Sequence, residues 1–236
     1  MLPDSEEVTF SDDFLCPYFS DGRIASVEYR IADADSMRHF QYFLASGYRR
    51  LGRTFYRNRC CTCEDCVPIR IPVAGFAPSR SQRRALKVNN DISVMVHPPH
   101  ELNEERLDLF DRYLATKHPD PLRPQRDDLG FQLRIIHFGY EHTLEMNYYL
   151  GERLVGTGII DIASDAVSAN YFYYDTDFLK RRLGIFSILQ EIALARALGK
   201  TYYYLGFLIR DNPKMAYKEG FVPHELLING QWMNDS

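Results

Sequence analysis

Lys180-Arg181-Arg182-Leu183-Gly184 leads into a run in which Ile185, Ile188, Leu189, Ile192 and Ala193 lie on one apolar stripe at helical spacing. Gly199 closes that run, and Thr201 to Phe207 follows with the composition of a strand. Working upstream, Gln132 to Phe138, Glu145 to Leu150, Leu154 to Ile162 and Ser168 to Tyr174 read as strands parted by turn residues such as Gly151 and Asp165. The order is therefore an antiparallel meander, a basic turn feeding a helix N-terminus, and a strand that returns parallel.

That order is the one seen in acetyltransferase-like (GNAT-type) acyltransferase folds, and it predicts an α+β class with such a domain over residues 91–236. A helix N-terminus flanked by Arg181 and Arg182 is a ready anion site. Acyl-CoA users of the fold want two small residues there. Gly184 supplies one and Phe186 occupies the place of the other, which argues against CoA. Residues 1–90 are predicted to form a smaller, basic, cysteine-containing domain. In it Arg23 to Arg30 reads as a strand, and Met37, Phe40 and Leu44 mark a helix with Asp35 or Ser36 as N-cap and Gly47 at its end. Val67 to Val73 is a further strand whose Pro68 and Pro72 predict a sheet edge. Ile92 to Val96 reads as a strand in the linker region. Leu107, Phe110 and Leu114 predict a helix ending at Lys117-His118-Pro119, with a polar loop over Asp120 to Asp128.

Charge is unevenly distributed. Between Gly47 and Lys87 nine arginines and a lysine face only Glu64 and Asp65, a balance of +8 in a chain of net charge −4, so the other 195 residues sum to −12. Such a split suits a protein that meets a polyanion on one face. Tyr48, Phe55, Tyr56 and Phe76 interleave with the cations, as stacking on unpaired bases requires. Ser79-Arg80-Ser81-Gln82-Arg83-Arg84 adds the hydroxyl, amide and guanidinium donors that phosphate and sugar contacts use. With 45% hydrophobic and 25% charged residues the chain can bury an ordinary core. No apolar run approaches the roughly 18 residues of a membrane span. The acidic start Met1 to Glu7 is unlike a secretory signal, so the expected location is the cytoplasm.

Four of the five cysteines fall within seven residues, too close for a disulfide framework. Cys60, Cys63 and Cys66 repeat as C-x-x-C-x-x-C, which lets a compact loop turn three thiolates to one centre. Cys16 is the natural fourth ligand and Cys61 the spare. The spacing accommodates a structural zinc or an iron–sulfur cluster and does not choose between them.

Several blocks together resemble one family. Cys16-Pro17-Tyr18, Gly47-Tyr48-Arg49-Arg50-x-Gly52, Tyr56 with the following cysteines, Arg70-Ile71-x-Val73 and Phe76-x-Pro78 through Arg84 are similar to the first half of the aminoacyl-tRNA protein transferases of the N-degron pathway. Tyr204-Leu205-Gly206-Phe207, Met215-x-Tyr217-Lys218, Phe221-x-Pro223-x-Glu225 and Gly230-x-Trp232 resemble that family's second block. The resemblance implies transfer of an amino acid from aminoacyl-tRNA to the α-amine of a protein with an acidic N-terminal residue, marking it for degradation. The compact size is most similar to the bacterial branch, which transfers leucine to N-terminal Asp or Glu. Arginyl transfer, typical of the eukaryotic branch, is the alternative. The doublet Cys60-Cys61 is shared with that branch, whereas Phe19 stands where its paired amino-terminal cysteine would fall. A metal-stabilised RNA-binding adaptor without catalysis is the reading from another class.

The implied chemistry needs no cofactor. An aminoacyl ester is already activated, and an α-amine with a reference pKa of about 7.7 to 8.0 keeps a neutral fraction at physiological pH. Positioning alone can supply on the order of 7 to 11 kcal/mol. Asp161 is the expected acceptor of the amine's proton through water, and Tyr217 and Lys218 the expected donors to the oxyanion or partners of the tRNA terminus. Arg49, Arg50 and Arg83 are candidates for the acceptor's carboxylate. Ser79, Arg80, Ser81, Gln82, Arg84, Arg181, Arg182 and Lys214 are assigned to substrate binding.

Overall fold

A computed structural model describes residues 8–33, 37–119 and 125–235. The acidic start, the N-cap expected at Asp35 or Ser36, and residues 120–124 of the expected loop lie outside the described residues. The first half contains β1 (Val8–Phe10), β2 (Phe14–Leu15), β3 (Ile24–Ala25), β4 (Val27–Ile31), α1 (Phe40–Ala45), β5 (Arg49–Leu51), β6 (Thr54–Asn58), β7 (Val67–Pro72) and α2 (Arg80–Val88). The second contains β8 (Ile92–His97), α3 (Glu104–Lys117), α4 (Arg126–His137), β9 (Thr143–Leu150), β10 (Arg153–Ile162), β11 (Ala166–Tyr174), α5 (Leu183–Ala197), β12 (Tyr202–Leu208), β13 (Glu225–Ile228) and β14 (Gln231–Asn234).

The result is a mixed α/β fold. Eight strands form one sheet in the order β14-β13-β7-β12-β11-β10-β9-β8, in which β11 and β12 pair parallel while their neighbours pair antiparallel. A four-stranded sheet, β1-β4-β6-β5, and the small β2-β3 pair come from the first half. Alternate residues of the large sheet feed opposite faces. Ile160 and Tyr203 pack with α5 through Leu183, Phe186, Leu189 and Ile192. Ile159 and Tyr173 pack with α3 and α4 through Phe110, Leu129 and Leu133. Tyr204 and Ala166 pack with Phe40, Phe43 and Phe55 of the first half. Eight of the fifteen residues of α5 are buried, and Phe186 packs against Tyr148 at 5.9 Å between ring centroids.

Two expectations are corrected. The stretch Gln132 to Phe138 is not a strand; it lies mostly in α4, whose Leu129, Leu133 and Ile136 recur at spacings of four and three and are buried in the α3–α4 core. Asp127 and Asp128 in its first turn and Arg134 and His137 in its last agree with the helix dipole. Strand β7 is not an edge either, because it lies between β12 and β13. Its prolines survive inside the sheet because the ladder to β13 uses only Arg70 and Ile69, so Pro68 and Pro72 flank that short pairing.

Candidate functional site

The parallel pairing of β11 and β12 runs from Ala166↔Tyr202 to Ser168↔Tyr204, and both strands then continue to Tyr174 and Leu208 without pairing each other. Irregularities flank the parting. A register shift in β10–β11 leaves Asn170 as the extra residue, and one in β12–β7 leaves Leu205. Strands that separate expose backbone groups which require partners. Here two cations supply them: Arg49 donates to the Ser168 hydroxyl (Nη1–Oγ 3.0 Å) and to the Ala169 carbonyl, while Lys218 Nζ donates to the Phe207 carbonyl at 2.7 Å. Gly206, at φ +89°, lies between them. A Cβ built on it would stand 3.6 Å from Lys218 Nζ and 3.7 Å from Arg49 Cζ, so the missing side chain keeps the space between the two cations clear.

Burial dominates the electrostatics of this notch. It draws the Lys218 ammonium down to about 7, with Arg49 adding to the shift. Glu191, on α5, is pushed up to about 7 by its complete enclosure, although Ser187 and Tyr203 donate to its two oxygens at 2.5 and 2.6 Å. Tyr148 donates to Ser187 at 3.3 Å, extending the buried chain of hydroxyls. Tyr217 has its ring partly exposed, but loss of hydration, with Glu191 and Tyr174 adding, pushes its phenol up to about 12. Glu191 was not among the residues singled out from sequence. Its signal was available: a lone carboxylate within the apolar stripe of α5.

Arg49, Tyr217, Lys218 and Glu191 thus share one neighbourhood. Asp161 and Arg50 are arranged otherwise. Both side chains are about 1% exposed, and they form a two-pronged ion pair, Nη2–Oδ1 2.7 Å and Nε–Oδ2 2.9 Å. Thr143 and Asn170 donate to the same carboxylate at 2.7 and 3.0 Å, so every oxygen of Asp161 is already engaged. Much of the basic stretch is turned inward in the same way. Arg57 and Arg59 bind Glu28, which also receives the Tyr48 hydroxyl, and Arg70 pairs with Glu225 while lying 3.7 Å from the Tyr202 ring centroid and 4.3 Å from that of Trp232.

The remaining candidates, Lys214 apart, gather where α2 meets α5. Ser79 and Gln82 form a capping box, and the Gln82 amide donates to the Gly220 carbonyl at 3.0 Å, bracing the turn that carries Tyr217 and Lys218. Ser81 accepts from Arg182 at 2.8 Å, Arg181 pairs with Asp91 at 2.7 Å, and Arg83 donates to the Pro78 carbonyl at 2.5 Å. Arg80, Arg84 and Lys214 are exposed. Arg182 takes the left-handed conformation (φ 56°) as the N-cap of α5, and no side chain caps that terminus.

Cys16, Cys60, Cys63 and Cys66 line one cavity of about 540 Å³ together with Tyr18 and Phe207. Burial, with Cys60, Cys16 and Cys63 adding, pushes the Cys66 thiol up to about 12. Cysteines gathered round one cavity are a donor set that a soft metal would bind as thiolates. Even so, among the described residues no three His, Cys, Asp or Glu side chains converge in ligand geometry, and no step below is routed through a metal. Among the described residues no helix is long and apolar enough to cross a membrane.

Two family models match the chain: arginine-tRNA-protein transferase, N terminus, over residues 14–84, and its C terminus over residues 105–228. A protein of Nitrosococcus oceani named aspartate/glutamate leucyltransferase is 39% identical, covering 92% of this chain and 91% of its own. Proteins of the same name from Pseudoalteromonas atlantica and Leptospira interrogans are 33% and 34% identical over 94% of this chain, and over 94% and 86% of their own. The C-terminal DUF2156 domain of an Agrobacterium fabrum protein has a similar fold, with a TM-score of 0.51 at 13% identity over 86% of this chain and 71% of that one. The chain belongs to the arginine-tRNA-protein transferase family.

Proposed function

We propose that this protein is a cytoplasmic enzyme that transfers leucine from leucyl-tRNA to the N-terminal α-amine of proteins beginning with Asp or Glu, marking them for degradation. The observation that carries the reading is the near-full-length kinship with relatives bearing the name aspartate/glutamate leucyltransferase. That name also favours leucine over arginine. The parting of β11 and β12 supports it, since it leaves a notch bordered by Arg49, Gly206 and Lys218.

In the reaction the amine nitrogen bonds to the ester carbon, the ester C–O bond breaks, and the amine's proton passes through water to the departing ribose oxygen. No covalent enzyme intermediate is required. Tyr217 is the proposed donor to the developing oxyanion, because its phenol stays protonated across the physiological range. Asp161 is better suited to seating Arg50 than to taking a proton. The α2–α5 junction, with Arg80, Arg84 and Arg182, is the proposed seat of the tRNA end, and the four cysteines around the cavity remain the proposed ligands of any structural metal.

The test offers leucyl-, arginyl- and phenylalanyl-tRNA in turn to peptides with N-terminal Asp, Glu, Lys and Ala. Extension by leucine of the Asp and Glu peptides alone is the expected result. Transfer of arginine in preference to leucine, or binding without any extension, contradicts it.

A further inference from the structure

Arg49, which is half-buried, and Lys218, which is buried, differ from the other cations that the fold takes in. Arg50 is matched by Asp161, Arg70 by Glu225, Arg106 by Glu145 and Arg57 by Glu28, each within 2.9 Å. Arg49 and Lys218 have no carboxylate at ion-pair distance among the described residues. Arg49 is held by a hydroxyl and a carbonyl, and Lys218 by a carbonyl at 2.7 Å and the Met215 sulfur at 3.8 Å. Glu191, the buried acid of α5, has its oxygens taken by Ser187 and Tyr203. An ammonium only 7% exposed with one good acceptor leaves donors unused, and a buried charge without a counter-ion is costly. Both head groups flank the space over Gly206 that a side chain there would fill. Phe207, whose carbonyl fixes Lys218, also lines the cysteine cavity of about 540 Å³, so the seat adjoins that cavity.

We propose that Arg49 and Lys218 together form the seat for the carboxylate of the acceptor protein's first side chain, so that Asp or Glu completes an ion cluster the protein leaves open. This rests on the leucyl-transfer reading and adds to it the residues that read the acceptor. The partners distinguish it from the exposed arginines of α2: the pair is fixed at the strand parting by Ser168 and Ala169 of β11 and Phe207 of β12.

The experiment measures kcat/KM for leucyl transfer to peptides differing only in an N-terminal Asp, Asn, Glu or Gln, in the wild type and in Arg49→Gln, Arg49→Lys and Lys218→Met. The wild type should favour each acid over its amide on the order of 100-fold, as charge-assisted pairs do. Arg49→Gln and Lys218→Met should each lower that ratio about tenfold, chiefly through KM, and Arg49→Lys, which keeps the charge and loses the fork, should fall between wild type and Arg49→Gln. A ratio taken within one preparation is unaffected by how much of a variant folds. If the variants lose transfer to Asp and Asn equally, the seat is refuted although leucyl transfer stands. The same holds if Arg49→Gln weakens leucyl-tRNA binding and leaves the ratio intact, since the cations then hold RNA. A wild type that extends no acidic peptide refutes the leucyl reading, and the seat with it.

Discussion

Arg50 grips Asp161 with two parallel hydrogen bonds of 2.9 and 2.7 Å, joining β5 of the small sheet to β10 of the large one. The two residues are 111 positions apart, so the contact locks the halves of the chain together beside the strand parting. Removing one partner leaves the other as an uncompensated buried charge. Asp161→Asn should therefore cost about 3 to 5 kcal/mol in chemical unfolding, and Arg50→Met should cost a similar amount. The double variant Arg50→Met, Asp161→Leu should recover much of the loss. Single-turnover transfer should follow stability in this series. An Asp161→Asn protein of wild-type stability and reduced transfer would instead give Asp161 a direct part in the chemistry.

Glu191 carries the opposite signature. A carboxyl whose folded value is raised to about 7 from an ordinary 4.5 burdens the folded state at high pH. Below pH 4.5 both states are protonated and the burden vanishes. It grows as pH rises to about 7 and is constant above. Glu191→Gln should remove up to about 3 kcal/mol of that pH-dependent loss, so unfolding curves at pH 5 and pH 8 should lie closer together in the variant than in the wild type.

Glu28 and Glu145 act in the acid range. Hydrogen bonds from Tyr48, Arg57 and Arg59 hold Glu28 down at about 2, and His137, Asn147 and Arg106 do the same for Glu145, in each case against the opposing effect of burial. Their folded values are depressed, so the stability they contribute is complete above about pH 4.5 and is lost as pH falls toward 2. Acid titration followed by circular dichroism should show unfolding within that window. Glu145→Gln should already be less stable at pH 7, because Arg106 loses its partner.

How much of this was legible in the sequence depended on range. The α5 helix and the strands β9 to β12 were readable because hydrophobic periodicity is local, although Ala193 of the expected stripe is exposed and Leu183 and Phe186 are buried instead. The α4 helix was misread because alternation within Gln132 to Phe138 concealed the longer spacing that begins at Leu129. The spacing Ser79-x-x-Gln82 is that of a capping box, and the structure uses both side chains for it. Which arginines of the basic stretch turn inward was not legible at all, since their partners Glu28, Asp161 and Glu225 lie far off in sequence and only the folded chain brings them together.

With so many arginines engaged inside, the exposed arginines of α2 stand out among the described residues as cations free to meet RNA. Arg80 and Arg84 are exposed, whereas Arg181 is committed to Asp91 through two bonds of 2.7 and 2.9 Å. A phosphate neutralised by a free arginine releases counterions, and a cation already neutralised releases few. Arg80→Ala and Arg84→Ala should each reduce the slope of log affinity against log salt for leucyl-tRNA by about 0.7 to 0.9, roughly equally for charged and uncharged tRNA. Arg181→Ala should change it little. Filter binding from low to high ionic strength measures these slopes. Unchanged slopes for both α2 variants would move the RNA away from this junction, and a large change for Arg181→Ala would mean that the Asp91 pair opens when RNA binds.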